Sequence, residues 1–403
     1  MLNRSNNIKS VLVRSYSSFV QPGKFNVEHN ETIANRLKNA CNTFGYYDAL
    51  SIPDHENYTL TYDEMLHNVK GLANGFAEHN IKKDQVVVSN SEGINNTLTY
   101  LGATTAGLTY VTLPASSTFS EIGAHLQKKK ANSLIMGDME NNMVEGALEF
   151  FPNLNRSEYF RDERYPQLKH IFSMANKDEP GISLLKDIIL DSKDFPYGDL
   201  SNNQVSVSYP INDQYVSFTQ KSVLNTADAL GEFFDIKPRQ RFSLAIPSTE
   251  SLSTIFNLAC LLRGAFVAQI SNINPTTIIN TITQDKCEVL LISGSNFNTL
   301  VNSTEFSKVE SLKLNKLVIV GEYDASLLKQ FESKCKTQTF NIPVNSNQIL
   351  GFAVSSSNVK LLPNVEAKVV GGVLKTKGYH VSNGEWLDTK IKATLEKDGS
   401  IKL

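Results

Sequence analysis

The residues able to act as nucleophiles, metal ligands or proton carriers are scattered along this chain. The four cysteines, Cys41, Cys260, Cys287 and Cys335, include no Cys-x-x-Cys pair, the spacing that thiolate metal sites and redox pairs use. We read them as reduced, buried, small apolar residues. The seven histidines form no cluster with metal-ligand spacing, and Cys335 stands without a nearby histidine. No Ser/His/Asp grouping follows from spacing. Gly371-Gly372 suits a tight turn better than a phosphate nest. Lys128-Lys129-Lys130 reads as a solvated helix end favoured by the helix dipole. These residues by themselves lead us to expect no catalytic group and no metal site.

The chain has 403 residues, which at roughly 100–200 residues per domain suggests two or three domains. A formal net charge of -2 gives no electrostatic case for nucleic acid or acidic membranes. No apolar run approaches the roughly 20 residues of a membrane-spanning helix. Residues 1–27 contain no Asp or Glu but carry Arg4, Lys9, Arg14 and Lys24 among several serines. That bias is found in mitochondrial transit peptides, and Arg14-Ser15-Tyr16-Ser17-Ser18 looks like a matrix-processing site. We therefore expect residues 1–16 to be a transit peptide, outside the fold, and the mature protein to reside in the mitochondrial matrix.

The elements that must position any site repeat along the chain. Thr61-Tyr62-Asp63-Glu64 is a capping box, and Tyr62, Met65, Leu66, Val69, Leu72, Ala73 and Phe76 follow helical spacing behind it. Strands are expected at 86–88, 110–113 and 133–136, with helices at 92–106 and 119–130 between them. The same order returns with a helix from Thr219 to Phe234, strands at 244–246, 266–268 and 289–292, and helices at 249–262 and 275–284. Gly107 and Gly264 lie 157 positions apart, as do Gly137 and Gly294, which points to an internal repeat. Residues 141–215 read as irregular, with one strand at 169–172. Val365–Val369, Gly371-Gly372 and Val373–Thr376 read as a hairpin, and Asp398-Gly399 as the joint between two short strands. The expected fold is α/β: two similar subdomains of mainly parallel sheet flanked by helices, plus a small C-terminal antiparallel β unit. We divide the chain into a transit peptide at 1–16, a first subdomain at 23–205 with a long irregular insertion, a second at 206–345 and the β unit at 346–403.

That order, and several short segments within it, resemble the adenylate-forming (AMP-binding) superfamily, in particular the N-terminal domain of acyl-CoA synthetases. Leu60–Glu64 through Gly107–Leu113 is similar to the superfamily's opening subdomain. Phe218-Thr219-Gln220-Lys221-Ser222 resembles its "LTHRN" helix start. Leu362–Val369 resembles "LPGVEVKIV". Lys377-Gly378-Tyr379, with Gly384, Trp386 and Asp398–Lys402, resembles "KGY…GWFRTGD…DGSIKI". The match runs over residues 30–403.

The resemblance implies a reaction that joins a carboxylate to the α-phosphate of ATP, with charge stabilised by backbone N–H groups, a lysine and magnesium. It also implies parts that this sequence rewrites. A Gly/Ser/Thr-rich loop ending in Pro-Lys-Gly is replaced by Ser208-Tyr209-Pro210-Ile211-Asn212-Asp213-Gln214, read here as a plain connecting turn. A Tyr-Gly-x-Thr-Glu loop, which stacks adenine and holds magnesium, is replaced by 341–348, without an aromatic or an acid. The ribose-gripping Asp of Thr-Gly-Asp faces Trp386-Leu387-Asp388-Thr389-Lys390, where Asp388 precedes the Thr and Lys390 follows it. The sequence stops at Leu403, where the superfamily's mobile lid domain would begin. We expect a catalytically inactive synthetase-like protein of mitochondria, serving as a structural or accessory subunit of a protein complex with mitochondrial partners. Alternatives are an acyl or acyl-CoA binding module, or a divergent AMP-forming acid–CoA ligase. No catalytic or cofactor-binding residue is expected; Thr219, Trp386, Asp388, Thr389 and Lys390 are vestigial positions. ATP with magnesium, and CoA, enter only under the alternatives.

Overall fold

The computed structural model describes residues 18–20, 29–52, 58–137, 143–154, 160–175, 179–211, 214–343, 352–355, 358–381, 385–396 and 400–403. The expected transit segment 1–16, most of the loop at 341–348 and the Asp398-Gly399 joint lie outside them. The chain begins with β1 (Ser18–Val20), α1 (Ile33–Phe44), β2 (Asp48–Ile52) and β3 (Tyr58–Thr61). A first α/β run follows: α2 (Tyr62–Glu78), β4 (Val86–Ser89), α3 (Gly93–Thr105), β5 (Thr109–Thr112), α4 (Phe119–Lys129) and β6 (Ser133–Met136). Then come α5 (Met143–Phe150), β7 (His170–Ser173), β8 (Ser183–Leu184), a 3-10 turn at Leu185–Ile188, β9 (Val205–Ile211) and β10 (Gln214–Thr219). The second run is α6 (Gln220–Phe233), β11 (Arg241–Ala245), α7 (Ser251–Leu261), β12 (Phe266–Gln269), α8 (Pro275–Gln284) and β13 (Val289–Ser293). It continues through α9 (Gly294–Val301), α10 (Thr304–Lys308), β14 (Lys316–Val320), α11 (Ala325–Glu332) and β15 (Gln338–Ile342). The last strands are β16 (Phe352–Ser355), β17 (Asn358–Leu361), β18 (Glu366–Val370), β19 (Val373–Lys377), β20 (Leu387–Lys392), β21 (Thr394–Leu395) and β22 (Ile401–Lys402).

The two runs are built alike. In each, the first strand lies between the next two, all parallel: β5-β4-β6 and β12-β11-β13. Both runs reach the left-handed region at matching positions: Asn80, Asp84, Gly107 and Lys130 in the first, Asp235, Arg239, Gly264 and Lys286 in the second. The turns close with the same bonds. Asp84 N–H donates to Gly107 O at 2.9 Å and Arg239 N–H to Gly264 O at 2.7 Å; Lys82 N–H donates to Gln85 Oε1 at 2.9 Å and Lys237 N–H to Gln240 Oε1 at 3.2 Å. Gly107 and Gly264 take φ of +72° and +76°, which costs glycine little and other residues more. The repeat inferred from two glycine pairs is thus a repeat of turns, hydrogen bonds and strand order.

Three sheets form among the described residues: β10-β9-β5-β4-β6-β7-β8, β21-β22-β17-β16-β15-β14-β13-β11-β12-β2-β3, and β1-β18-β19-β20. Sheet membership cuts across a division at 205/206. β2 pairs in parallel with β12, Val267 opposite Leu50, while β9 pairs in parallel with β5. At the C-terminus, β16, β17, β21 and β22 extend the large sheet antiparallel, and β18–β20 form their own sheet. The Gly371-Gly372 turn joins β18 to β19 as expected, both glycines at positive φ. The stretch 141–215 is more ordered than expected: it holds α5, β7, β8 and all of β9 and part of β10.

One buried cluster runs across both halves, from Ile33 and Leu50 through Tyr100 and Tyr110 to Phe256, Leu291 and Phe340. Polar contacts stitch the halves together. Gly93 N–H donates to Ser248 Oγ at 2.8 Å, Asn96 Nδ2 to Ser248 O at 2.8 Å and Asn257 Nδ2 to Thr97 Oγ1 at 2.9 Å. All four cysteines are free and buried. No described helix is long and apolar enough to cross a membrane.

Candidate functional site

The position that resembles a phosphate loop is a β-hairpin, not the connecting turn expected from sequence. Ile211 lies opposite Gln214, so β9 and β10 are joined through two residues, 212 and 213. β9 is sandwiched: Ser208 pairs with Ser217 of β10 on one side and with Val111 of β5 on the other. Its backbone donors are therefore committed to the sheet ladder. Ser208 and Tyr209 are buried, and the Ser208 and Ser217 hydroxyls meet at 2.7 Å.

The start of α6 is the second element such a site would use, because first-turn N–H groups can hold an anion. Here the chain itself takes them. Gln220 N–H donates to Gln204 O at 3.0 Å, Lys221 N–H to Asn202 O at 2.8 Å and Ser222 N–H to the Thr219 hydroxyl at 3.1 Å. Thr219 is thus a helix cap, and the Ser222 hydroxyl donates to Tyr379 O, tying α6 to the C-terminal strands. The described part of this region does not fit a triphosphate with its metal. Among the described residues no three His, Cys, Asp or Glu side chains gather as metal ligands.

The other vestigial positions fall around β20. Thr389 is buried and donates to Leu374 O at 2.6 Å. Asp388 is exposed; it accepts from Lys390 N–H at 2.9 Å and pairs with Lys375 Nζ at 3.3 Å. Hydrogen bonds from the Lys390 backbone and the Lys375 ammonium hold its carboxyl below the usual aspartate range. Lys390 sits at φ +57°, a conformation that favours glycine. That backbone sets the register of the Thr-Gly-Asp pattern on Thr389-Lys390-Ile391. The aspartate position is then held by Ile391, which packs against the small core of Ala367, Leu374, Ala393 and Ile401. Asp388 is accordingly a surface ion-pair partner of Lys375. Trp386 lies under Lys368 Nζ, 3.9 Å from the ring centre. Thr389 faces inward and Asp388 outward, so these residues do not converge on one point.

Two carboxyls escaped the sequence reading. Glu92 and Glu250 occupy the N-cap positions of α3 and α7, with no side-chain capping bond. Burial pushes the Glu250 carboxyl up to about 7 and raises that of Glu92, the latter opposed by a backbone hydrogen bond from Ala115. The Glu250 Oε2 is buried without a partner. Their equivalent places in the two runs, just before each central helix, were the available signal. Between α3 and α7, Asn96, Tyr100, Leu101, Thr254, Leu258 and Leu261 line a cavity of about 10 Å³, room for roughly one water.

The family profile "AMP-binding enzyme" matches residues 37–198. "Putative acyl-CoA synthetase YngI" of Bacillus subtilis (strain 168) is 23% identical over 436 residues, covering 93% of this chain and 78% of that protein. The N-terminal domain of FACL13 from Mycobacterium tuberculosis superposes with a TM-score of 0.78 at 13% identity, covering 92% of this chain and 99% of that one. The anthranilate CoA ligase AuaEII, solved with anthranoyl-AMP, gives 0.76 at 12% identity, covering 93% and 77%. The chain therefore has the fold of the AMP-binding enzymes over their N-terminal part. Its sequence is similar to that of an acyl-CoA synthetase over most of its length, and its first half matches the AMP-binding profile.

Proposed function

We propose that this chain is a catalytically silent acyl-CoA synthetase-like protein that acts in the mitochondrial matrix as a structural or accessory subunit of a protein complex. The observation that carries the reading is the β9–β10 hairpin, closed through two residues where an adenylating enzyme needs a phosphate-wrapping loop. The consumed donors at the start of α6 support it. Each lost oxyanion-type donor costs about 3 kcal/mol of transition-state stabilisation, or 10²–10³-fold in rate, so several together remove measurable turnover. The test is isothermal titration with Mg-ATP and a carboxylate-dependent pyrophosphate exchange assay. We expect neither binding in the micromolar range nor exchange. Exchange that disappears in Asp388→Ala or Lys390→Ala would establish a relocated active site and overturn the reading.

A divergent AMP-forming acid–CoA ligase is the second reading, favoured by the family profile and by the synthetase relative. The same exchange assay separates the two. An acyl or acyl-CoA binding module is the third reading; the cavity between α3 and α7, about 10 Å³, does not supply its pocket.

The matrix assignment is motivated by the acid-free, arginine-bearing residues 1–27 and the Arg14-Ser15-Tyr16-Ser17 pattern. N-terminal sequencing of the endogenous protein is expected to start after residue 15 or 16. An intact Met1 would rule the assignment out.

A further inference from the structure

The outer face of the β18–β19–β20 sheet carries an arrangement that neither the fold nor the vestigial site uses. Alternation along each strand sends Ala367, Leu374 and Thr389 inward, where they are buried. The opposite set faces out. Lys368 lies directly across from Lys375, Glu366 across from Lys377, and Lys392 across from Val373. Like charges placed opposite each other on adjacent strands are destabilising, so the Lys368–Lys375 pair is one the sheet itself does not favour, whereas Glu366 opposite Lys377 and Asp388 opposite Lys375 are opposite-charge pairs. Two local contacts offset it: Asp388 Oδ2 pairs with Lys375 Nζ at 3.3 Å, and the Trp386 ring sits 3.9 Å from Lys368 Nζ. Lys377 and Lys392 have no carboxylate within ion-pairing distance among the described residues.

Trp386 is the single tryptophan of the chain. It immediately precedes Leu387, which pairs with Thr376, so it stands level with Lys377 and reaches across β19 to Lys368. A half-buried tryptophan with Lys368 over its ring and Lys377 level with it has the composition of an interface anchor, since Trp is over-represented among residues that dominate binding.

The charge is local. Residues 346–403 carry eight lysines and five acids, net +3, whereas residues 28–345 carry a net -9. A basic face on an acidic body suits a partner whose negative charge is confined to one segment. An extended anionic lipid surface would also meet the acidic body and be repelled by it.

We propose that the outer face of β18–β20, centred on Lys368, Lys375, Lys377 and Trp386, is a docking surface for an acidic segment of a partner protein. This deepens the accessory-subunit reading and rests on it. Glu366 and Asp388 at the margin of the lysine row would set register by repelling a misaligned acidic strip.

Trp386 provides the readout. A poly-Glu peptide titrated into the full-length protein at low salt is expected to change tryptophan emission saturably, with affinity falling as salt rises. Anisotropy of a labelled poly-Glu peptide should give the same affinity, and it remains usable in variants that disturb the indole. Lys368→Glu and Lys377→Glu should each weaken binding at least tenfold with circular dichroism unchanged. Lys128→Glu, at the far lysine cluster ending α4, should leave it unaltered. Binding insensitive to Lys368→Glu and Lys377→Glu, no emission change, or tighter association with anionic phosphatidylglycerol vesicles than with the peptide would overturn the proposal. Concentration-dependent self-association that Lys368→Glu removes would identify a second copy as the occupant and overturn it equally. Carboxylate-dependent pyrophosphate exchange would instead overturn the underlying accessory-subunit reading, so the two failures are distinguishable.

Discussion

Gly75→Ala is expected to destabilise the protein by about 3 kcal/mol, toward the upper end of the usual cost of overpacking a filled site. A Cβ at Gly75 would lie 1.8 Å from Ile188 O and 2.8 Å from its carbonyl carbon. These are backbone atoms, so no rotamer change relieves the clash. One turn earlier, a Cβ at Gly71 would meet Ile189 Cγ2 at 2.6 Å and Leu190 O at 2.8 Å. The two glycines let the segment 188–190 lie flat on α2. Neighbouring bonds fix it there: Leu190 N–H to Gly71 O at 3.2 Å, Lys70 Nζ to Lys193 O at 2.8 Å and Asn74 Nδ2 to Asp194 O at 2.9 Å. Alanine's better helix propensity returns at most about 1 kcal/mol, which does not reverse the sign. Urea unfolding of Gly75→Ala beside Gly198→Ala is the measurement, because a Cβ at Gly198 meets nothing within 4 Å. Equal midpoints for the two variants would show that 188–190 is not pinned against α2.

The second large effect is acid sensitivity centred on His380. This ring is 4% exposed, its Nε2 lies 3.1 Å from the Thr376 hydroxyl, and its Nδ1 has no hydrogen-bond partner. Burial holds its pKa down to about 3, against 6.5 for an ordinary histidine. The unfolded chain therefore takes up a proton near 6.5 that the folded chain refuses until about 3. Stability from this group is complete above 6.5 and falls as pH drops through the window between those values. At pH 5 the loss is about 2 kcal/mol, from one proton at 1.36 kcal/mol per unit. Glu250 works in the opposite direction. Its raised pKa makes folding more favourable as pH falls from 7 toward 4.5. Comparing the wild type with His380→Gln cancels that contribution. Urea-derived stability between pH 7.5 and 5 should fall by about 2 kcal/mol more in the wild type than in the variant. Parallel curves would mean that the ring is reached by solvent.

Much of the architecture was legible because it is written locally. The Thr61–Glu64 capping box is present with both reciprocal bonds. Asn80 ends α2 in the left-handed region, Pro275 opens α8, and Gly371-Gly372 turns β18 into β19. Each signal involves residues a few positions apart. β9 was missed for a physical reason. Its Ser206 and Ser208 are buried, not solvent-facing, and Ser206 Oγ lies 3.1 Å from Tyr100 OH and 3.2 Å from Thr104 Oγ1. Small polar residues satisfied inside a core look like loop residues in a sequence. The pairing of β2 with β12 was also invisible, because partners more than 200 positions apart leave no local trace. At the candidate site, the rewritten residues were visible as substitutions. Their new roles as cap, ion-pair partner and buried donor, and the burial of Glu250 and His380, depend on neighbours that only the fold supplies.

That long-range pairing has a consequence in time. β2 and β3 close one edge of the large sheet, but β12, on which they dock, ends at Gln269. At a synthesis rate of roughly 5–20 residues per second, the ribosome needs about ten to forty seconds to travel from β3 to the end of β12. For that interval the β2–β3 hairpin exists without its template, and two strands alone are marginal in water. The large sheet therefore cannot be completed in the order in which it is synthesised; its earliest strands must wait for one made more than 200 residues later.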